Sequence, residues 1–383
     1  MRTVVVVGTS LAGLRAAQEL RARGYSGRLV LVGREPHRPY DRPPLSKDFL
    51  LGKVRAADLE LGDADDLLAL EAQWHLGVSA RRLDTATGEV VLSGGTRVAA
   101  DGVVVATGAT AKTLAGTEEL LGVHTLRTLD DALALRAELT AGARVVVIGA
   151  GFVGAEVASA CHTLGCAVTV VEAASVPLAG VLGARMGAVA AGLHGDNGVR
   201  LLAGTGVAGV TAAGGRVTGV SLADGSWLPA DVVVAGIGCT PATDWLAGSG
   251  IAVDNGVCCD RGGVTSNPSV VAVGDVAGGE HWTTASEQPR VAVRNLLAGA
   301  TVEHHTRPGY FWSDQYGTRI QFAGTAGDGA EVRVVDGDTE ERSFVATYHR
   351  DGVLTGVLAM NRPRPFLRLR KRLEHDAAIV QLG

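Results

Sequence analysis

At 383 residues the chain is too long for one hydrophobic core and reads as two or three domains. A hydrophobic fraction of 46% beside 20% charged residues excludes intrinsic disorder, and a net charge of −5 excludes the concentrated basic field that nucleic-acid binding needs. Five scattered cysteines exclude a secreted disulfide framework. The first strand-like run begins at Thr3, which leaves no room for a leader, and no apolar stretch reaches membrane-spanning length. The expectation is a soluble cytoplasmic protein with neither membrane nor nucleic acid among its partners.

Residues 3–35 (TVVVVGTSLAGLRAAQELRARGYSGRLVLVGRE) read as strand, Gly-rich turn, helix, strand and acidic residue. The turn holds Gly8, Ser10, Ala12 and Gly13, with serine where the middle glycine of a dinucleotide fingerprint belongs. A serine still fits there, and its hydroxyl can donate to a phosphate. Glu35 stands where an acid would meet a ribose. Next comes PYDRPPLSK, in which Pro43 and Pro44 stiffen the chain and set Leu45 at the start of a helix. Arg42 and Lys47 flank this rigid loop as cations open to a phosphate or a flavin. Lys47 is one of only four lysines, which favours a special role over a solvated surface side chain, although both readings stand.

The run GVVVATG at 102–108 ends in Thr107 and Gly108, a strand end where a ligand can approach or a plain turn can form. Residues 144–172 (RVVVIGAGFVGAEVASACHTLGCAVTVVE) repeat the first pattern with a complete fingerprint. Gly149, Gly151 and Gly154 enclose Phe152 and Val153; they serve the tight turn, the close approach of a pyrophosphate and helix–strand packing. Glu172 lies about twenty residues on, placed for a ribose 2′-OH, and Ala173, Ala174 and Ser175 supply no cation for a 2′-phosphate, which favours NADH over NADPH. Two further strand-then-glycine runs follow, DVVVAGIG ending in Gly238 and VVAVGD ending in Gly274 and Asp275. Two fingerprints in one chain imply two nucleotide sites. The fold class expected is α/β, with a first domain formed by residues 1–109 and 230–307 and a second inserted as 110–229. From 308 to 383, short alternating strands and a closing helix over 364–380 predict a separate α+β domain.

In order along nearly the whole chain, GTSLAG, YDRPPLSKDFL, VVVATGA, LRTLDDA, VVVIGAGFVGAEVA, GIGCTP, VAVGDVA, EHWTTASEQ and YFWSDQYGTRIQFAG resemble the FAD-dependent NADH:ferredoxin reductases of the putidaredoxin reductase and biphenyl dioxygenase reductase family. That resemblance implies a glutathione-reductase-like pair of Rossmann-type domains with a C-terminal domain, and the cofactors FAD and NADH. It implies FAD contacts from Gly8, Ser10, Ala12, Gly13, Glu35, Arg42, Lys47, Thr107, Gly108, Arg127, Gly274, Asp275 and Trp282, with Asp275 on the ribitol and Arg127 at the phosphates. NADH contacts are implied for Gly149, Gly151, Phe152, Val153, Gly154, Glu156, Glu172 and Gly238. Lys47, Glu156 and Trp282 are the implied catalytic set, with Glu156 facing the nicotinamide and paired with Lys47. The plainer reading of Glu156 is a carboxylate favoured by a helix N-terminus. No metal site is expected.

The partner implied is an iron–sulfur ferredoxin feeding a cytochrome P450 or a Rieske oxygenase, with the reductase itself a monomer or weak homodimer. Arg364, Arg368, Arg370, Lys371 and Arg372 form either a docking surface for an acidic ferredoxin or a solvated helix face. Gly180 replaces a basic residue common in relatives, and His281, before Trp282, has no evident task. Rubredoxin or nitrite-reductase-type electron transfer, and a non-catalytic redox sensor like the apoptosis-inducing flavoproteins, are the alternatives. A dithiol enzyme would need a cysteine near the flavin, whereas the first cysteine is Cys161, on the second fingerprint helix.

Overall fold

The computed structural model describes residues 1–279, 281–327 and 329–380, and the chain divides into two compact units. Glu280 of the EHWTTASEQ motif lies outside the described residues. The first unit comprises Met1–Asp41, Ala57–Thr110 and Thr240–Thr306. Its parallel sheet runs Val270–Ala272, Gly102–Val105, Thr3–Val7, Arg28–Gly33, Ala72–Leu76. The central strands are valine-rich because both faces are covered. On one side Val4, Val6, Leu29 and Leu31 pack with Leu14, Ala17 and Leu20 of the helix Leu11–Ala22; on the other Val5, Val7, Val30 and Val32 meet a three-stranded antiparallel layer through Leu83, Val90 and Leu92.

The second unit takes Arg42–Ala56, Ala111–Cys239 and the chain from Arg307 onward. Its parallel sheet runs Arg200–Ala203, Ala167–Glu172, Arg144–Ile148, Val232–Ala235, Val123–His124. Here the structure departs from the sequence reading, which returned the chain to the first domain at residue 230. The strand Val232–Ala235 instead pairs with Arg144–Ile148, and the return comes at Thr240. An all-valine run fits either sheet equally well, so composition alone does not choose the partner.

The C-terminal segment forms a five-stranded antiparallel sheet in the order Tyr310–Gln315, Thr318–Gly324, Val353–Met360, Ser343–Arg350, Glu331–Asp338. One face is covered by Phe366 and Leu373 of the terminal helix Pro363–Val380. The other packs Phe311, Phe322, Phe344 and Leu358 against Leu182, Met186 and Leu193 of the helix Ala179–Asp196. That helix opens on Leu178 with φ 60° and is broken at Gly183, with φ 75° and ψ 157°. At the break the Leu182 carbonyl accepts a 2.8 Å hydrogen bond from the buried Tyr348 hydroxyl. The C-terminal sheet thus packs directly on the helix Ala179–Asp196 within the second unit. Among the described residues no helix is long and apolar enough to cross a membrane.

A buried histidine marks the same junction. His194 shares a 2.8 Å hydrogen bond with the Tyr316 hydroxyl, and burial lowers its pKa from the ordinary 6.5 to about 4. Because the folded-state value is depressed, the unfolded chain takes up this proton first, and stability is lost as pH falls from 6.5 toward about 4. The slope approaches about 1.4 kcal/mol per pH unit over that window. Urea unfolding at stepped pH should show a shallower loss in His194→Gln than in the parent; equal slopes would mean that His194 protonates without cost in the folded protein.

Candidate functional site

Both Gly-rich turns fold as the sequence requires. In the first unit Gly8 has φ +113°, and a Cβ there would lie 2.0 Å from the Ala106 carbonyl oxygen; at Gly13 it would lie 1.8 Å from the Gly8 carbonyl oxygen. Ser10 occupies the N-cap of the helix Leu11–Ala22. Gly274 packs against Ala12, whose Cβ would stand 3.1 Å from a Cβ built on the glycine, so the short helical turn Gly274–Ala277 carrying Asp275 abuts the first turn of the fingerprint helix. Glu35 accepts a hydrogen bond from the buried Tyr40 hydroxyl. Thr107 donates to the Ala242 carbonyl at 2.8 Å, and the Gly108 carbonyl accepts from Ala242 N at 2.9 Å. Trp282 opens the helix Trp282–Ala298 and donates its indole N–H to Asp41 at 2.6 Å. Gly8, Ser10, Ala12, Gly13, Glu35, Thr107, Gly108, Gly274, Asp275 and Trp282 thus share one unit, whereas Arg42, Lys47 and Arg127 belong to the other.

In the second unit Gly149 has φ +99° with a Cβ position 2.3 Å from the Gly236 carbonyl oxygen, and one at Gly154 would sit 2.1 Å from that of Gly149. Gly151 is different: a Cβ there would meet no heavy atom within 4 Å. Protein packing does not require a glycine at this position, so its bare backbone at a helix N-terminus fits a pyrophosphate drawn against the peptide N–H groups. Glu172 is held on both oxygens, accepting from Ala150 N at 2.7 Å and Ala174 N at 2.8 Å. This fixes a carboxylate beside the Gly-rich turn, an acceptor that suits a ribose diol and repels a 2′-phosphate. Gly238, with φ +96°, has open space around its Cβ position too, and its carbonyl accepts from Lys112 N at 3.0 Å.

The loop 42–56 brings the remaining groups. Arg42 donates to the Arg127 carbonyl at 2.5 Å, and Arg127 N donates at 2.9 Å to Asp131, which forms a capping box with Thr128. Arg136 lies 4.6 Å over the Phe49 ring and donates to the Phe49 carbonyl at 3.2 Å. So anchored, the turn Pro43–Ser46 delivers Ser46 and Lys47 to Glu156, on the fingerprint helix Phe152–Thr163. Lys47 Nζ stands 3.0 Å from Glu156 Oε1, Ser46 Oγ donates to Oε2 at 2.5 Å, and Ser313 Oγ donates to Oε1 at 2.6 Å. The Lys47 side chain is 16% exposed and that of Glu156 5%, which removes the solvated-lysine reading and the plain helix-terminus reading together.

Ser46, Ser313, Tyr40 and Asp41 were not picked out from the sequence. All four lie inside quoted motifs, and the clue available was a polar residue flanked by prolines or aromatics where a strand or turn buries alternate positions. No pair of Cys161, Cys166, Cys239, Cys258 and Cys259 is disulfide-bonded. Cys161 and Cys166 sit in the core with Leu135, Val157 and Val168, and a hydrogen bond donated to Cys166, with burial, pushes the Cys161 thiol upward. Burial likewise raises Cys259 to about 11. Among the described residues no cluster of His, Cys, Asp and Glu is placed to hold a metal ion.

Comparison with known proteins places the chain in a family. Residues 2–289 match the family model described as pyridine nucleotide-disulphide oxidoreductase, and residues 310–381 match the reductase C-terminal model. Rhodocoxin reductase of Rhodococcus erythropolis is 35% identical over 99% of this chain and 91% of its own. The ferredoxin–NAD(+) reductase subunit of the benzene 1,2-dioxygenase system of Pseudomonas putida is 35% identical over 99% and 93%. Among solved structures, putidaredoxin reductase in its covalent complex with putidaredoxin superposes with a TM-score of 0.92 at 32% identity, covering 98% of this chain and 93% of that one. The chain belongs to the pyridine nucleotide-disulphide oxidoreductase family, in the ferredoxin reductase group that carries a reductase C-terminal domain.

Proposed function

We propose that the chain is an FAD-dependent NADH:ferredoxin reductase that supplies single electrons, through an iron–sulfur ferredoxin, to a cytochrome P450 or Rieske-type oxygenase. The observation that carries this reading is the buried pair of Lys47, from the proline-rich loop, with Glu156 on the helix of a complete dinucleotide fingerprint, the core cysteines being packed as hydrophobes rather than presented as thiolates. The named relatives, which are reductases of ferredoxin-linked systems, support it. FAD, when bound, supplies an acceptor for hydride that can release its electrons singly, which matches a two-electron donor to a one-electron carrier.

The chain's own residues bind and orient. Backbone N–H groups at Ser10 and Gly151 hold pyrophosphates, Glu35 and Glu172 hold riboses, and Asp275 holds the ribitol. Arg42 and Arg127 serve the flavin phosphates, Trp282 is fixed by Asp41 as an aromatic wall, and Lys47 and Glu156 meet the reacting rings as a charge pair of fixed geometry. The first segment set then forms the FAD domain and the 111–239 segment the NAD domain. On the terminal helix Arg364, Arg368, Lys371 and Arg372 are exposed, and the i, i+4, i+7 spacing of the first three makes a basic stripe suited to an acidic ferredoxin.

Three measurements test this. NADH should reduce ferricyanide through the protein directly, and cytochrome c only when an acidic [2Fe–2S] ferredoxin is added; Arg368→Glu with Lys371→Glu should lower the second rate alone. Failure of the second reaction with every ferredoxin tried would remove the electron-transfer assignment. Glu172→Ala should cut kcat/KM for NADH about ten-fold and narrow the gap to NADPH, because the ribose hydrogen bonds and the repulsion of a 2′-phosphate go together; unchanged kinetics would take Glu172 out of the ribose site. Lys47→Gln should slow flavin reduction by NADH by about ten-fold or more, whereas parental behaviour would leave the ion pair a purely structural element.

A further inference from the structure

The strand Tyr310–Gln315 runs along the second fingerprint helix, and three successive rungs join them. Phe152 meets Phe311 with ring centroids 4.6 Å apart, Glu156 accepts from Ser313 at 2.6 Å, and Ser159 Oγ accepts from Tyr316 N at 2.7 Å. Residues 152, 156 and 159 lie on one face of the helix, at i, i+4 and i+7, and 311 and 313 lie on one face of the strand. Tyr316 follows in a turn of φ +52°, and its hydroxyl reaches His194. The middle rung is the buried one: Ser313 is 0% and Gln315 1% exposed.

The middle rung also has a direction. The Gln315 side-chain N–H donates to Ser313 Oγ at 3.0 Å, and Ser313 in turn donates to Glu156. Gln315 thus fills an acceptor site of the hydroxyl and turns its one proton toward the carboxylate. Lys47 and Ser46 approach from the proline-rich loop, so Ser313 is the only one of the three donors supplied by the C-terminal sheet. Removing it leaves the carboxylate held from the proline-rich loop only, by Lys47 on Oε1 and Ser46 on Oε2, and relaxes the restraint on its rotation about the last bond.

We propose that Ser313, oriented by Gln315, is a positioning residue for the Glu156 carboxylate, so that the nicotinamide end of the nucleotide site is completed by the C-terminal sheet. This rests on the reading of Lys47 and Glu156 as the pair that meets the reacting rings. A hydrogen bond to a charged group accounts for a loss of about ten-fold when its donor is deleted.

The test uses the holoenzyme, with flavin reduction by NADH followed by stopped flow and NAD+ affinity measured by calorimetry. Ser313→Ala should slow reduction about ten-fold while NAD+ affinity stays within about two-fold, because the turn and Glu172 are untouched. Ser313→Thr, which keeps the hydroxyl, should restore the rate. Glu156→Gln should slow reduction by itself, and adding Ser313→Ala to it should change little, since the donor then has no carboxylate to place. A parental rate in Ser313→Ala, or losses that multiply in the double variant, would overturn the proposal while leaving Glu156 in its role. A parental rate in Glu156→Gln would overturn both. If Ser313→Ala does not fold, Ser313→Cys, close in volume and a weak donor, takes its place with the same expected outcomes.

Discussion

A carboxylate that is 5% exposed must find donors within the protein, and Glu156 finds three. They come from residues 46, 47 and 313, stretches that composition and local pattern treat as unrelated. Satisfying this one group obliges the proline-rich loop to leave the first unit and lie along the second, where Arg42 and Arg136 tie it down. It also obliges an antiparallel strand from the far end of the chain to lie along the fingerprint helix. The same contacts that close the carboxylate therefore assemble the second unit, and the site and the fold share one constraint.

The two nucleotide turns answer to different pressures at different glycines. Gly149 and Gly154 are set by the protein itself, since a side chain at either would strike a backbone carbonyl. Gly151 is set by what approaches from outside, since nothing in the protein fills that space. In the first turn Gly8 and Gly13 are set by the protein in the same way, so the serine at position 10 leaves the structural glycines intact. Gly180 falls in a helix start that breaks at Gly183 and is held by the hydroxyl of Tyr348, so the segment that follows Glu172 is tied to the C-terminal sheet.

Much of this was legible in the sequence because it is local. Valine runs ending in glycine, a helix of small residues and an acid after the next strand lie within about thirty residues, and backbone chemistry alone dictates their arrangement. Which sheet received Val232–Ala235 was not legible, because a run buried on both faces carries no mark of its neighbour. Lys47 was implied as a partner of Glu156, but the other two donors were not legible, since they lie 110 and 157 residues away and are serines, among the least distinctive of side chains. Tyr40 and Asp41 stand beside prolines that mark only a stiff chain, whereas the hydroxyl on Glu35 and the carboxylate on Trp282 are set by tertiary packing.

The order in which the chain is made gives the strand Tyr310–Gln315 one further significance. Synthesis proceeds from the N-terminus, and residues 1–239 already contain the complete fingerprint, the proline-rich loop and the parallel sheet of the second unit. Ser313 appears 157 residues after Glu156, a delay on the order of ten seconds at the ribosome. Through that interval the faces of Leu182, Met186 and Leu193 have no antiparallel sheet to cover them, and the nascent chain carries a nucleotide-binding half that is exposed to misassembly. The last strands cover that hydrophobic face and complete the carboxylate's donors together, so one late-made element serves both the core and the site.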